Sequence, residues 1–304
     1  MFWRGADFHR VTTFYERWKY CMYKIVEKKY LNSTVVQMAI EAPLVARKAQ
    51  AGQFIILRVD EFGERIPLTV AGVDLEAGTV RIIFQIVGAT TMALNQKEIG
   101  DEIQDFVGPL GEPTKTDGVK SVCIVGGGVG CAIALPVANE FHRLGAEVTS
   151  IIGFRNKDLV ILENEFRACS DQLIVMTDDG SYARRGNVTV PLKESLDSGK
   201  RFDLIMTIGP LIMMKFVTMT AQPYGVPVTV SMNPIMVDGT GMCGGCRVSL
   251  IQNGRRVTKF ACVEGPDFNG YEIDFDEAIS RGRTYLEFEQ VHREKVCNLL
   301  NKTL

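Results

Sequence analysis

From Tyr23 to about Gly111, apolar and polar positions alternate in short runs that glycine and proline keep interrupting. The runs are Tyr23–Lys28, Thr34–Glu41, Phe54–Val59, Leu68–Asp74, Thr79–Val87 and a short piece near Ile103. Strand-sized, β-branched segments at that spacing predict a small β-barrel. Beyond the polar stretch Glu112–Lys120 the texture changes. Ser121–Val125 reads as a buried strand, Ala132–Leu144 has a helical period, and Glu147–Ile152, Leu173–Met176, Leu204–Ile208 and Val226–Val230 read as further strands. Strands alternating with helix-length segments predict a parallel sheet covered by helices.

From Asn233 to Gly270 the chain is rich in loop-forming residues. A helix is expected from about Asp274, where Asp274 and Glu277 have the spacing of a capping box, running past Gly282 through Tyr285, Leu286 and Val291. Residues 1–21 carry two tryptophans and no clean period. The expected division is therefore an N-terminal extension (1–21), a β-barrel domain (22–116), an α/β domain (117–230), a cysteine-bearing segment (231–272) and a C-terminal helix (273–304).

Composition narrows the function. The 304 residues are 46% apolar and 23% charged, and the net charge of -2 gives no general pull towards nucleic acid or an anionic membrane. No apolar run approaches the roughly 20 residues of a spanning helix, and no secretory signal stands out, so a cytoplasmic location is expected. There the eight cysteines are expected as thiols or ligands rather than disulfides. Cys123, Cys131, Cys169 and Cys297 sit among apolar or helix-like neighbours and read as small hydrophobes.

The remaining cysteines carry the sharpest signal. Asp238-Gly-Thr-Gly-Met-Cys243-Gly-Gly-Cys246, followed by Cys262, puts three thiols and a carboxylate in a glycine-rich stretch. The spacing is that of a plant-type [2Fe–2S] site, Cys-x4-Cys-x2-Cys with a remote fourth cysteine, except that Asp238 stands at the first position. Zinc held by the same four residues is the alternative on residue chemistry, and zinc carries no electron.

Two glycine turns are placed to address a nucleotide, a tight structural turn being the alternative for the first. Gly126-Gly-Gly-Val-Gly130 lies between a buried strand and a helix, where backbone can approach a pyrophosphate and helix N–H groups face the anion. The third fingerprint glycine is replaced by Cys131, and no carboxylate ends the next strand, which leads into Arg155. Ile208-Gly209-Pro210 supplies a second turn at the same sheet edge. The pair Asp178-Asp179 reads either as a contact to a ribose or a nicotinamide amide or as a plain turn. In the barrel, Arg65-Ile-Pro67-Leu68-Thr69 and Gly88-Ala-Thr-Thr91 offer a cation, hydroxyls and amides of the kind a flavin diphosphate needs, or ordinary barrel surface.

This order of motifs, with Gly108-Pro-Leu-Gly111 between them, resembles the ferredoxin–NADP reductase superfamily across about Met22 to Tyr285. Within it the chain is similar to the electron-transfer subunits of dihydroorotate dehydrogenase and, more closely, to the small subunits of NADH-dependent reduced ferredoxin:NADP oxidoreductases, also called sulfide dehydrogenase beta subunits. The resemblance implies a ferredoxin reductase-like fold: a β-barrel FAD domain, an α/β parallel-sheet nucleotide domain and a small C-terminal [2Fe–2S] subdomain. It implies FAD at Arg65, Pro67, Leu68, Thr69, Gly88 and Thr91, NAD(H) at Gly128, Gly130 and Gly209, and cluster ligands Asp238, Cys243, Cys246 and Cys262. The dihydroorotate type has cysteine at the position of Asp238; the bifurcating type has aspartate.

It further implies a heterodimer with a larger FAD/[4Fe–4S] flavoprotein that handles NADPH, ferredoxin being reached through the complex. Neither nucleic acid nor a membrane is an expected partner. The cofactors would carry the chemistry, so no acid–base residue is expected to be catalytic, and His9, His142 and His292 read as incidental. Many reductases of the superfamily have cysteine where Ile208 precedes the Gly-Pro turn. The alternatives are a dihydroorotate dehydrogenase electron-transfer subunit, a sulfide dehydrogenase subunit, and an inactive scaffold with the same fold.

Overall fold

A computed structural model describes residues 23–284 together with 287, 288, 290 and 291. The N-terminal extension, Cys297, His9 and His292 lie outside the described residues.

The first half of the chain forms two antiparallel sheets around one core. Strands β1 (Tyr23–Tyr30), β2 (Val35–Glu41), β5 (Gly72–Asp74), β6 (Thr79–Gln85) and β7 (Glu102–Ile103) run in the order β5-β6-β2-β1-β7. Strands β3 (Phe54–Arg58), β4 (Arg65–Thr69) and β8 (Asp105–Leu110) run β4-β3-β8. Ile25, Val36, Ile40, Ile55, Leu57, Ile82 and Phe106 from both sheets share a dry interior. The expected single strand Leu68–Asp74 is two strands in two sheets. Val70 N–H still bonds to Gln53 on the β3 side, whereas Ala71 N–H bonds to Arg81 on β6, so the chain changes sheets between them. Strand β8 was not anticipated beyond the piece near Ile103. The short helices are α1 (Pro43–Ala46) and α2 (Ala89–Gln96).

The second half is a seven-stranded sheet. β9 (Ser121–Gly127), β10 (Glu147–Phe154), β11 (Gln172–Thr177), β12 (Arg184–Arg185), β13 (Leu204–Ile208) and β14 (Val228–Ser231) are parallel, in the order β12-β11-β10-β9-β13-β14, and antiparallel β17 (Asp267–Asn269) closes the edge. The inner strands are buried on both faces, which is why they read as nearly continuous apolar runs. Helices α3 (Gly130–Arg143), α4 (Glu163–Ala168), α5 (Thr189–Asp197) and α6 (Leu211–Ala221) connect them. The chain leaves β9 towards β10 on one side and returns to β13 on the other. The carboxyl ends of β9 and β13 therefore flank a topological switch point, where open α/β sheets bind ligands.

The stretch expected to be mostly loop contains a regular hairpin. β15 (Arg247–Gln252) and β16 (Arg255–Phe260) pair through Asn253-Gly254, both at positive φ (52° and 73°), as a tight two-residue hairpin turn requires. Helix α7 (Ala261–Glu264) follows, then β17. Asp274 caps α8 (Phe275–Arg281) by accepting from Glu277 N–H at 3.0 Å. The expected run through Gly282 does not occur, because α8 stops at Arg281 and residues 282–284 form a turn. Residues 287, 288, 290 and 291 are helical again; Tyr285 and Leu286 lie outside the described residues.

Candidate functional site

At the switch point the two glycine turns touch. A Cβ on Gly130 would come within 2.6 Å of the Ile208 carbonyl oxygen and 2.7 Å of Gly209 Cα. Gly130 is thus a packing glycine that lets the start of α3 sit on the β13 turn. Gly128 behaves differently. Its φ of 56° is left-handed, a Cβ there would meet nothing within 4 Å, and its N–H bonds to the Gly153 carbonyl at 2.9 Å. It presents backbone to open space next to Gly127, the residue that lies against Gly209. Cys131 fills the room under Gly126, and burial raises its thiol pKa well above the ordinary range. Ile208 is buried.

Arg155 follows β10 and is exposed. Asp179 is engaged in a turn, its Oδ1 accepting from Ser181 N–H at 2.9 Å and from Ser181 Oγ at 2.7 Å. The Ser181 hydroxyl, then its amide, hold the Asp179 carboxyl below its usual pKa. The turn reading of Asp179 is the one its bonds support.

On the antiparallel sheets, Arg65 Nη2 lies 3.0 Å from Asp105 Oδ2, which also accepts from Arg58 Nε at 2.7 Å. Two guanidiniums on one carboxylate leave a net positive charge and hold Asp105 ionised, the bonds from Arg58 and Arg65 outweighing the opposing effect of burial. Pro67, Leu68 and Thr69 are half-buried on β4, which lies alongside both β3 and β6. The end of β6 leads to Gly88, where a Cβ would meet nothing within 4 Å. The Thr91 hydroxyl accepts from the Val87 and Gly88 amides at 3.0 Å and donates to the Gly88 carbonyl at 2.9 Å. That hydroxyl is committed to capping α2, so what this corner offers an anion is the first-turn amides.

The cysteine loop gathers its four donors in two pairs. Cys246 Sγ and Cys262 Sγ, both buried, are 3.1 Å apart, and Cys262 N–H points at Cys246 Sγ from 3.5 Å. Cys243 is exposed, and Gly245 N–H lies 3.5 Å from its sulfur. Asp238 accepts from Thr240 N–H with Oδ1 and from Cys243 N–H with Oδ2, both at 2.9 Å. The Thr240 amide, with that of Cys243, holds the Asp238 pKa down against desolvation. Burial first, then the facing Cys246, pushes the Cys262 thiol up to about 12. Without metal Cys262 keeps its proton at neutral pH, and a bound metal has to displace it. Among the described residues no group of three or more His, Cys, Asp or Glu side chains converges on one metal-ion position.

The loop is anchored on both sides. A Cβ on Gly239 would meet Leu110 Cδ1 at 2.6 Å and Ile56 Cδ1 at 3.0 Å, so the loop backs directly onto β8 and β3. Ile56 pairs with Pro67 of β4. From the other side, Arg281 Nη2 donates to the Gly245 carbonyl at 3.2 Å and Nη1 to that of Arg247. Sequence reasoning missed Arg281, since nothing local marks it. It also missed Asp267, which accepts from Thr114 Oγ1 at 2.6 Å across 153 residues of chain.

Two hollows flank this framework. One of about 820 Å³ lies where the parallel strands begin, bordered by Asp117, Lys200 and Asp203, away from both glycine turns. The other, about 620 Å³, separates the antiparallel sheets at Ala71, Gly72 and Arg81 from α3 at Pro136 and Asn139.

Residues 233–274 match the iron–sulfur cluster binding domain of dihydroorotate dehydrogenase B. A dihydroorotate dehydrogenase B (NAD(+)) electron transfer subunit homolog of Thermotoga maritima is 45% identical over 272 residues, covering 90% of this chain and 94% of the relative. The dihydroorotate dehydrogenase B (NAD(+)) electron transfer subunit of Streptococcus pneumoniae is 33% identical over 81% of this chain and 97% of its own length. A solved structure of a NADH-dependent reduced ferredoxin–NADP oxidoreductase, studied for flavin-based electron bifurcation, superposes with a TM-score of 0.83 at 44% identity. That match covers 90% of this chain and 98% of the other.

Proposed function

The chain belongs to the family of dihydroorotate dehydrogenase B electron transfer subunits, and on that premise we propose that it is the small subunit of a NADH-dependent reduced ferredoxin:NADP oxidoreductase. In this reading 22–116 is a closed β-barrel that binds FAD, 117–230 binds NAD(H), and 231–272 holds a [2Fe–2S] cluster. A larger FAD/[4Fe–4S] flavoprotein that handles NADPH completes a cytoplasmic heterodimer and links it to ferredoxin. When bound, the flavin exchanges two electrons with a nicotinamide and single electrons with the cluster.

The observation that carries the proposal is the contact of the cysteine loop with β3. Gly239 lies against Ile56, and Ile56 is one strand spacing, about 5 Å, from Pro67 in the flavin motif. Sulfurs and flavin would then sit close enough for direct electron exchange. The donor set fits a cluster in kind. Two pairs of donors suit two irons better than one zinc, and an ionised carboxylate has lone pairs left after capping the loop. The amides aimed at Cys243 and Cys246 would stabilise thiolate charge.

The other residues bind and orient. Arg65, kept partly neutralised by Asp105, and the first-turn amides of α2 would hold the flavin diphosphate, with Pro67, Leu68 and Thr69 along the ring. Gly128 would let a dinucleotide pyrophosphate reach backbone at the switch point, while Gly130 and Gly209 keep the two turns in contact. Asp238 in place of cysteine favours the ferredoxin:NADP type. The relatives named for dihydroorotate dehydrogenase B support the second reading, an electron-transfer subunit serving an FMN dehydrogenase.

The test is anaerobic purification of the chain with whatever it assembles with, followed by mixing with NADH. Flavin bleaching in a complex with an FAD/[4Fe–4S] flavoprotein supports the proposal. Co-purification with an FMN dehydrogenase that oxidises dihydroorotate supports the second reading. A folded chain that binds no flavin refutes both.

A further inference from the structure

Asp267 is half-buried, and its carboxylate is employed by nothing above. It opens β17 opposite Ser231 of β14, and its Oδ2 accepts from Thr114 Oγ1 at 2.6 Å. Its Oδ1 is sealed from solvent without a hydrogen-bond partner. Thr114 belongs to the connection between the antiparallel sheets and the parallel sheet, and Ser231 ends the last parallel strand. Asp267 itself lies five residues after Cys262. Three separately built regions thus meet at one carboxyl group.

The surrounding backbone is stitched at the same point. Glu112 N–H bonds to the Gly265 carbonyl at 2.7 Å, Met232 N–H to that of Pro266 at 2.8 Å, and Thr114 N–H to that of Ala51 at 2.9 Å. Gly52 is needed for this, since a Cβ there would lie 2.2 Å from Thr114 Oγ1 and block the hydroxyl from Asp267. On the far side of Thr114 the two halves stand apart across the 620 Å³ cleft, which Thr114 itself borders. Val35 and Ile83 share a buried core with Val122 and Leu135, so packing also joins the halves, and the connection adds a separate tie at Thr114.

We propose that Asp267 is a positioning residue: with Thr114 and Ser231 it locks the connection and the cysteine segment together, holding the Cys246–Cys262 pair at a fixed distance from the flavin-bearing sheets. An apolar residue at 267 would avoid burying an unpartnered oxygen, so the carboxylate carries a desolvation cost that its bond to Thr114 offsets only in part. The inference rests on the reading that these sulfurs exchange electrons with a flavin on those sheets.

The experiment uses the full-length anaerobic holo-complex with Asp267→Ala, Asp267→Asn and Thr114→Val. The readouts are the rate of cluster reduction after mixing with NADH, and amide hydrogen exchange over residues 111–120 and 228–234. The alanine and valine variants are expected to slow cluster reduction at least tenfold and to speed exchange at least tenfold in those two segments. Asparagine keeps an acceptor for Thr114 and is expected to leave the reduction rate within threefold of the unaltered protein and not to speed exchange. Unaltered exchange in the alanine and valine variants overturns the lock. Altered exchange with an unaltered reduction rate overturns its positioning role. If the unaltered protein shows no cluster reduction, the functional reading fails, while the exchange result still decides the lock.

Discussion

The switch point and the cysteine loop are both glycine-rich turns, yet their glycines serve opposite ends. At the switch point side chains are absent so that backbone can meet backbone: Gly130 presses on Ile208 and Gly209, and Gly128 faces open space. In the cysteine loop Gly241 and Gly244 take left-handed turns, Gly245 aims its amide at the exposed Cys243 sulfur, and Gly239 sets the loop against Ile56 and Leu110. On the proposed reading the nucleotide site is built from what is missing, whereas the electron site is built from what four side chains hold in place. Mutations should separate the two.

The largest expected effect is on the sulfur pair. Cys262→Ser or Cys246→Ser removes one of two thiols 3.1 Å apart, and iron content is expected to fall below about a tenth of the unaltered protein, as loss of a cluster ligand should cause. Flavin content should be unchanged; loss of both would mean that the sulfurs serve folding.

The pair Gly130→Ala and Gly128→Ala comes next. Alanine at 130 overpacks against a carbonyl at 2.6 Å and should cost about 1–3 kcal/mol in denaturant unfolding. Alanine at 128 meets no neighbour but must hold a φ of 56°, costing about 1 kcal/mol. It should nevertheless weaken NADH binding more than it lowers stability. Equal losses of binding and stability in the two variants would erase the distinction between packing glycine and contact glycine.

Asp267 supplies a pH test. Burial raises its pKa from 3.8 to about 6, against the lowering influence of Thr114 and Ser231. The folded state therefore binds this proton more tightly than the unfolded chain does. The resulting cost is present above pH 6 and is relieved as pH falls through 6 towards 4. Relative to the protein at pH 4, Asp267→Asn should gain roughly 3 kcal/mol over the unaltered chain by pH 7.5, at 1.36 kcal/mol for each pKa unit. A stability difference between the two that stays constant with pH would contradict the raised pKa.

The smallest effect belongs to Arg281→Ala. It removes a cation bonded to the Gly245 and Arg247 carbonyls and should cost about 1 kcal/mol. It should also lower the cluster potential, because a nearby positive charge favours the reduced state.

Much of this architecture is legible in sequence because it is local. The inner strands β9 and β13 show as apolar runs since both faces are covered, and Leu204–Ile208 has the expected bounds. The Cys243-x2-Cys246 spacing and the glycine turns are short-range patterns of the same kind. The β15–β16 hairpin was also written there, in Asn253-Gly254, but the density of loop-forming residues around it hid the signal. The split of Leu68–Asp74 between sheets depends on which partner strand each residue finds, and no local pattern carries that. Asp267 is the extreme case. Beside Pro266 it reads as an ordinary turn aspartate, and its role depends on a threonine 153 residues away.

The central claim is a two-iron centre, held by Asp238, Cys243, Cys246 and Cys262, beside a flavin. Counting iron, sulfide and flavin in anaerobically purified protein, with EPR of the reduced protein and of Asp238→Cys, tests it most directly. Two irons, two sulfides and one FAD per small subunit are expected, with a reduced-cluster signal that survives in Asp238→Cys at a shifted potential. One zinc per chain, or a signal and potential indifferent to Asp238→Cys, would contradict it.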